Sequence, residues 1–166
     1  QLYNISKIIV FLVCLWPIYS VSYLIYFNEL GAEPVKKIIH HFGEWTLIFI
    51  CLTLSMSPLK KITKSLIWIR YRRMLGLFVF FYATIHMLTY VGLDYWFNWK
   101  PILNDIIKKK YIIVGFLAWL LLIPLAITSS DKMIKYLRKN WKRIHRLIYL
   151  VAIFGVLHYI WLSKTI

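Results

Sequence analysis

Apolar residues gather in five long stretches of this chain, and charge gathers in the short segments between them. The stretches cover residues 8–27, 38–57, 74–93, 111–128 and 144–162. A bilayer core about 30 Å thick takes around 20 mainly apolar residues of helix, so each stretch predicts one membrane-spanning helix. Pro17 and Pro124 fall inside the first and fourth stretches and predict kinks, which membrane helices tolerate. The first stretch is long for a signal peptide and no small-residue cleavage site follows it, so it reads as a retained helix. No internal repeat, low-complexity linker or second domain stands out. The expected fold is a single all-α domain over residues 1–166, a polytopic transmembrane helical bundle of five helices.

Composition and charge sharpen this picture. Apolar residues make up 61% of the 166 residues, yet the formal net charge is +15. Soluble domains are about half apolar, so an ordinary soluble domain is excluded. A chain both apolar and basic fits a membrane protein with cationic loops. Nucleic-acid binding, the other reading of a high isoelectric point, is set aside because the basic residues lie between runs of membrane length. The segment between the second and third stretches carries Lys60, Lys61, Lys64, Arg70, Arg72 and Arg73 with no acid. The segment between the fourth and fifth carries Lys132, Lys135, Arg138, Lys139, Lys142, Arg143 and Arg146 against Asp131 alone. The other two loops mix both signs. Positive-inside bias therefore places the two basic segments and the N-terminus in the cytoplasm. Tyr95, Trp96, Trp99, Trp141 and Trp161 near the run ends fit an aromatic belt.

Candidate chemistry rests on five histidines: His40, His41, His86, His145 and His158. An ionisable residue inside a membrane helix is costly and is a functional candidate by default. His86 lies late in the third stretch, in FYATIHMLTY, and His158 late in the fifth, in FGVLHYIWL. Both helices leave a basic segment, so both run outward and both histidines reach a similar depth. Two neutral imidazoles at matched depth suit the two axial positions of one haem iron, and filling both favours electron transfer over oxygen chemistry. The plain alternative is that each histidine is a hydrogen-bonded helix contact. His145, in WKRIHRLIYL, starts the fifth stretch, about 20 Å below His158 on an ideal helix. A second haem there lacks a partner, because the matching position before His86 is Arg73. A flavin or quinone site, or a helix cap, are its other readings. His40 and His41 are read as preceding the second helix at the outer surface, exposed to water, with His40 a candidate for touching a haem propionate or a partner.

Arg70, Arg72, Arg73, Lys142 and Arg143 form the cytoplasmic basic cluster. They either enforce topology and meet anionic membrane lipid or hold a flavin phosphate, which arginine's planar fork suits. No CxxCH is present for covalent haem, and Cys14 and Cys51 have no zinc or iron–sulfur spacing. No GxGxxG or P-loop occurs, so electrons would come from a separate donor. Other readings of the histidines are a stand-alone ferric reductase and a histidine-relay proton channel or transporter. Glu44 and Asp94 sit near helix ends rather than mid-membrane, which disfavours a relay.

These residues carry a resemblance. GAEPV at 31–35, His40 with Gly43 beyond it, SPL at 57–59, RRMLGL at 72–77, HMLTY at 86–90, TSS at 128–130 and WKRIHRLIYLVAIFGVLHYIW at 141–161 stand in one order. In them the chain resembles the MsrQ (YedZ) family, in the wider ferric-reductase-like transmembrane group. The resemblance implies a haem b subunit of a bacterial inner membrane that also binds FMN. It would take electrons from a cytoplasmic flavin reductase or quinol and pass them to a periplasmic molybdopterin methionine sulfoxide reductase. It implies His86 and His158 as haem ligands and His145 as the family's remaining characteristic histidine. Arg73 in place of a histidine favours one haem plus a flavin over two haems. The family usually carries a sixth helix, which is not found before Ile166.

Overall fold

The computed structural model describes residues 2–164. Five helical segments are long and apolar enough to cross a membrane: Asn4–Tyr26, Pro34–Thr63, Ile67–Asp94, Lys110–Ile127 and Lys139–Ser163. The fold is all-α and multi-pass, as the hydrophobic pattern predicts. The chain divides into two compact units, Gln1–Thr89 and Tyr90–Ile166.

The first unit contains α1 (Leu2–Cys14), α2 (Trp16–Tyr26), α3 (Pro34–Thr63) and α4 (Ile67–Thr89). The predicted kink appears as the break between α1 and α2. Pro17 has no N–H to offer the Val13 carbonyl, and it sits in the first turn of α2, where that loss costs nothing. Around the break the Ile18 N–H turns to the Leu15 carbonyl at 3.1 Å, instead of the Cys14 carbonyl that an unbroken helix would give it. Tyr82 on α4 makes good the difference, its hydroxyl donating to the Cys14 carbonyl at 2.6 Å. Tyr82 has no exposed surface, and its ring stacks on Phe42, Phe49 and Phe78. This aromatic column, with Val79 beside it, is the core that α3 and α4 share.

α3 begins at Pro34, a residue suited to a first turn, and runs on through Pro58 to Thr63. Lys64 in the left-handed region ends it. This start corrects the expectation for His40 and His41. Both lie within α3 and both are half-buried. His41 Nε2 approaches the Ser20 hydroxyl at 3.1 Å and the Pro17 carbonyl at 3.2 Å, so it ties α3 to α2 rather than facing water.

The second unit opens with a π-helical turn, Tyr90–Asp94. Next comes α5 (Trp99–Lys108), a short helix that lay below the length sought for a span. Ile102 on it is buried while Trp99, Leu103 and Ile107 are exposed. A small polar cluster anchors α5. The Tyr95 hydroxyl donates to the Asp105 carboxylate, and Lys109 Nζ donates to it at 2.5 Å. Burial alone would raise the Asp105 carboxyl, but the hydrogen bonds from Lys109 and Tyr95 outweigh it and hold it below its ordinary value. Burial, and then the bond to Asp105, push the Tyr95 hydroxyl far above its ordinary range.

α6 (Lys110–Ile127) and α9 (Leu147–Ser163) form the second hairpin, joined by α7 (Asp131–Leu137) and α8 (Lys139–Ile144). The Ser130 hydroxyl caps α7 by accepting from the Met133 N–H at 3.2 Å. The fifth span is not one ideal helix. At His145 and Arg146 the bonding tightens, with Arg146 N–H to the Arg143 carbonyl and Tyr149 N–H to the Arg146 carbonyl.

Candidate functional site

His86 is carried by α4 and His158 by α9, and both rings are half-buried. In the first unit, His86 Nδ1 lies 2.9 Å from the Ile39 carbonyl on α3. In the second, His158 Nδ1 lies 2.7 Å from the Tyr111 carbonyl on α6. A carbonyl can only accept, so Nδ1 carries the hydrogen in both rings and donates it. The neutral ring then has its lone pair on Nε2. This is the form in which imidazole ligates iron, with the other nitrogen donating to a fixed acceptor.

Each bond spans an interval of 47 residues. A glycine stands one helical turn beyond each acceptor. A Cβ on Gly43 would come 3.1 Å from His86 Cε1, and a Cβ on Gly115 only 2.6 Å from His158 Nδ1. The trio Ile39, Gly43 and His86 thus recurs at the same spacings as Tyr111, Gly115 and His158. Reading the sequence for repeats missed this. The signal was a glycine and a histidine held at one fixed interval, too sparse to register as similarity between apolar runs.

His145 is placed differently. Its Nε2 lies 3.0 Å from the Thr128 hydroxyl, and its ring stacks on Trp141 with centroids 4.0 Å apart. Thr128 gives its own proton to the Pro124 carbonyl at 2.6 Å, so His145 Nε2 must be the donor. Trp141 completes the knot by donating its indole N–H to the Thr128 carbonyl at 2.9 Å. Among the basic residues, Arg72 is half-buried and donates to the Ser57 hydroxyl at 2.8 Å. Arg73, Lys142 and Arg143 are exposed. His40 lies in the second turn of α3, next to the acceptor Ile39.

Comparison with known proteins bears on these histidines. The ferric reductase like transmembrane component family matches residues 39–156. A relative from Xanthomonas oryzae pv. oryzae, named protein-methionine-sulfoxide reductase heme-binding subunit MsrQ, is 49% identical over 138 residues, covering 83% of this chain and 63% of its own. A relative of the same name from Herminiimonas arsenicoxydans is 43% identical over 161 residues, covering 96% of this chain and 74% of its own. The chain belongs to the MsrQ family. It spans 63% of the length of the Xanthomonas relatives. No solved structure matches it. In this MsrQ family member, the matched region takes in the acceptor Ile39, both glycines, His86 and His145.

Proposed function

We propose that this chain is the haem-carrying membrane subunit of a protein-methionine-sulfoxide reductase system. The observation that carries the reading is a pair of membrane-helix histidines, His86 and His158, each locked by an Nδ1–H bond to a backbone carbonyl in the tautomer that ligates iron. In this reading the two are the axial ligands of one b-type haem, and the whole chain serves as one haem-binding domain. The name carried by the relatives supports it. When bound, the haem supplies one-electron redox chemistry; the helices supply ligand geometry, low dielectric and exclusion of water.

Electrons would arrive on the cytoplasmic side from a flavin reductase or quinol. They would leave outward to a periplasmic molybdopterin methionine sulfoxide reductase in the bacterial inner membrane. That partner performs the sulfoxide step. FMN is assigned to the basic cytoplasmic side, whose segments carry Arg72, Arg73, Lys142 and Arg143, and arginine's planar fork suits phosphate. His145 is assigned a holding role, because Thr128 and Trp141 engage it. That favours a single haem.

Absorption spectra of the purified chain, oxidised and dithionite-reduced, with pyridine-haemochrome and flavin quantification, test this. A low-spin spectrum with one haem per chain is expected, and His86→Ala and His158→Ala should each remove most of it. A colourless protein after expression with ample haem, or a low-spin spectrum fully retained in both variants, would overturn the reading. The matched family's own description favours a second reading, a stand-alone ferric reductase. Reduction of Fe(III) chelates by the chain with an electron donor but no periplasmic partner would support that one.

A further inference from the structure

We propose that Gly43 and Gly115 are positioning residues, each providing the seat that fixes the plane and tautomer of a histidine. The proposal rests on His86 and His158 being iron ligands and adds what holds them.

The argument starts from helix geometry. The Ile39 and Tyr111 carbonyls lie inside α3 and α6, where each already accepts the N–H of the residue one turn on. Those residues are Gly43 and Gly115. To bond the same carbonyl, the histidine Nδ1–H must use the oxygen's second lone pair, approaching over the helix surface. In an α-helix each Cα–Cβ bond leans toward the N-terminus, so a side chain covers the turn before its own. Any side chain at 43 or 115 therefore stands over the carbonyl that the ring must reach. Glycine alone leaves that surface bare.

The distances agree. A Cβ at 43 would meet His86 Cε1 at 3.1 Å and Nδ1 at 3.2 Å, and a Cβ at 115 would meet His158 Nδ1 at 2.6 Å and Cε1 at 2.8 Å. An imidazole is rigid and cannot bend away at its tip. At 115 it must give up the carbonyl or turn its plane, while at 43 the ring must shift by a few tenths of an ångström. Gly76 is the internal contrast, since a Cβ there meets only Thr53 Cγ2 at 3.7 Å, an ordinary contact. The same seat built independently in two hairpins argues against accident. Its chemical effect is defined. Donation from Nδ1 to a carbonyl raises the basicity of Nε2, which strengthens binding to ferric iron and lowers the reduction potential.

The test uses the full chain in nanodiscs, titrated with hemin, as wild type and as Gly43→Ala, Gly115→Ala and Gly76→Ala. Loss of such a supporting bond weakens metal sites by about 10- to 100-fold. Gly115→Ala should bind hemin weaker by that factor, and Gly43→Ala should lose less because its contact is looser. The haem remaining in either should show altered low-spin g values and a raised midpoint potential. Gly76→Ala should match wild type. Because an alanine variant can fail to fold, wild-type protein labelled with ¹⁵N-histidine is measured by NMR in parallel. Both His86 and His158 should show a protonated, exchange-protected Nδ1. Wild-type affinity, g values and potential in both Gly43→Ala and Gly115→Ala would overturn the proposal, as would Nδ1 found unprotonated at His86 and His158. If wild type bound no hemin, the ligand reading would fall, while the NMR result would still decide the seat.

Discussion

Removing one oxygen atom from the centre of the first unit should cost far more than its size suggests. Tyr82→Phe keeps the ring, and with it the stacking on Phe49 at 5.2 Å between centroids. Only the hydroxyl that donates to the Cys14 carbonyl at 2.6 Å is lost. That carbonyl has no helical substitute, since the Ile18 N–H is turned to Leu15. Water cannot reach it, because Tyr82 is wholly buried and lipid offers no donor. A buried acceptor left without a partner costs about 1–3 kcal/mol, or roughly 5- to 150-fold in the unfolding equilibrium. Reversible unfolding in mixed detergent–SDS micelles, followed by circular dichroism, measures it. Pro17→Ala provides the second arm of a cycle. Restoring an N–H at position 17 gives the Val13 carbonyl its donor and lets α1 and α2 join, which turns the Ile18 N–H to the Cys14 carbonyl, so Tyr82→Phe should cost less than half as much in that background. Equal costs in the two backgrounds, or no cost in either, would refute the account of the break.

Two further expectations concern the second unit. The Asp105 carboxyl is held below its ordinary value in the folded chain, so its contribution to stability is complete above that ordinary value and is lost as pH falls through the folded one. Hydrogen exchange of the 95–109 segment should accelerate below about pH 4 in wild type and show no such acid dependence in Asp105→Asn; an unchanged profile in the variant would remove the carboxylate from the explanation. Thr128→Val removes the hydroxyl that joins His145 to the Pro124 carbonyl and should lower stability by about 1–3 kcal/mol while leaving haem content intact. Haem loss as large as that of His158→Ala would instead make His145 a ligand.

The spans were legible because a helix in lipid must be apolar along its whole length, and five such runs stand out in any reading of the sequence. Pro17 also announced its break, since a missing N–H is a property of the residue itself. What escaped were features set by packing. α5 was passed over because its apolar positions, among them Ile102, Leu103 and Ile107, are spaced for one face of a short helix, and a search for membrane-length runs ignores that spacing. His41 looked like a surface residue because its partner carbonyl belongs to Pro17, on another helix. Within the candidate site, His86 and His158 could be picked out by their cost in lipid. Their tautomers could not, because the acceptors are main-chain atoms and leave no letter in the sequence. His145 shows the same limit from the other side. Neither its bond to Thr128 nor its stacking on Trp141 could be read from its place in the sequence.

Those main-chain acceptors have a consequence for how this protein can change over generations. The residues that receive the two imidazole protons are an isoleucine and a tyrosine, side chains with nothing in common. Substituting either leaves its peptide oxygen where it was, so drift at 39 and 111 cannot erase the bond, and scanning those positions with alanine would pass over it. The vulnerable letters are the two that have no side chain at all.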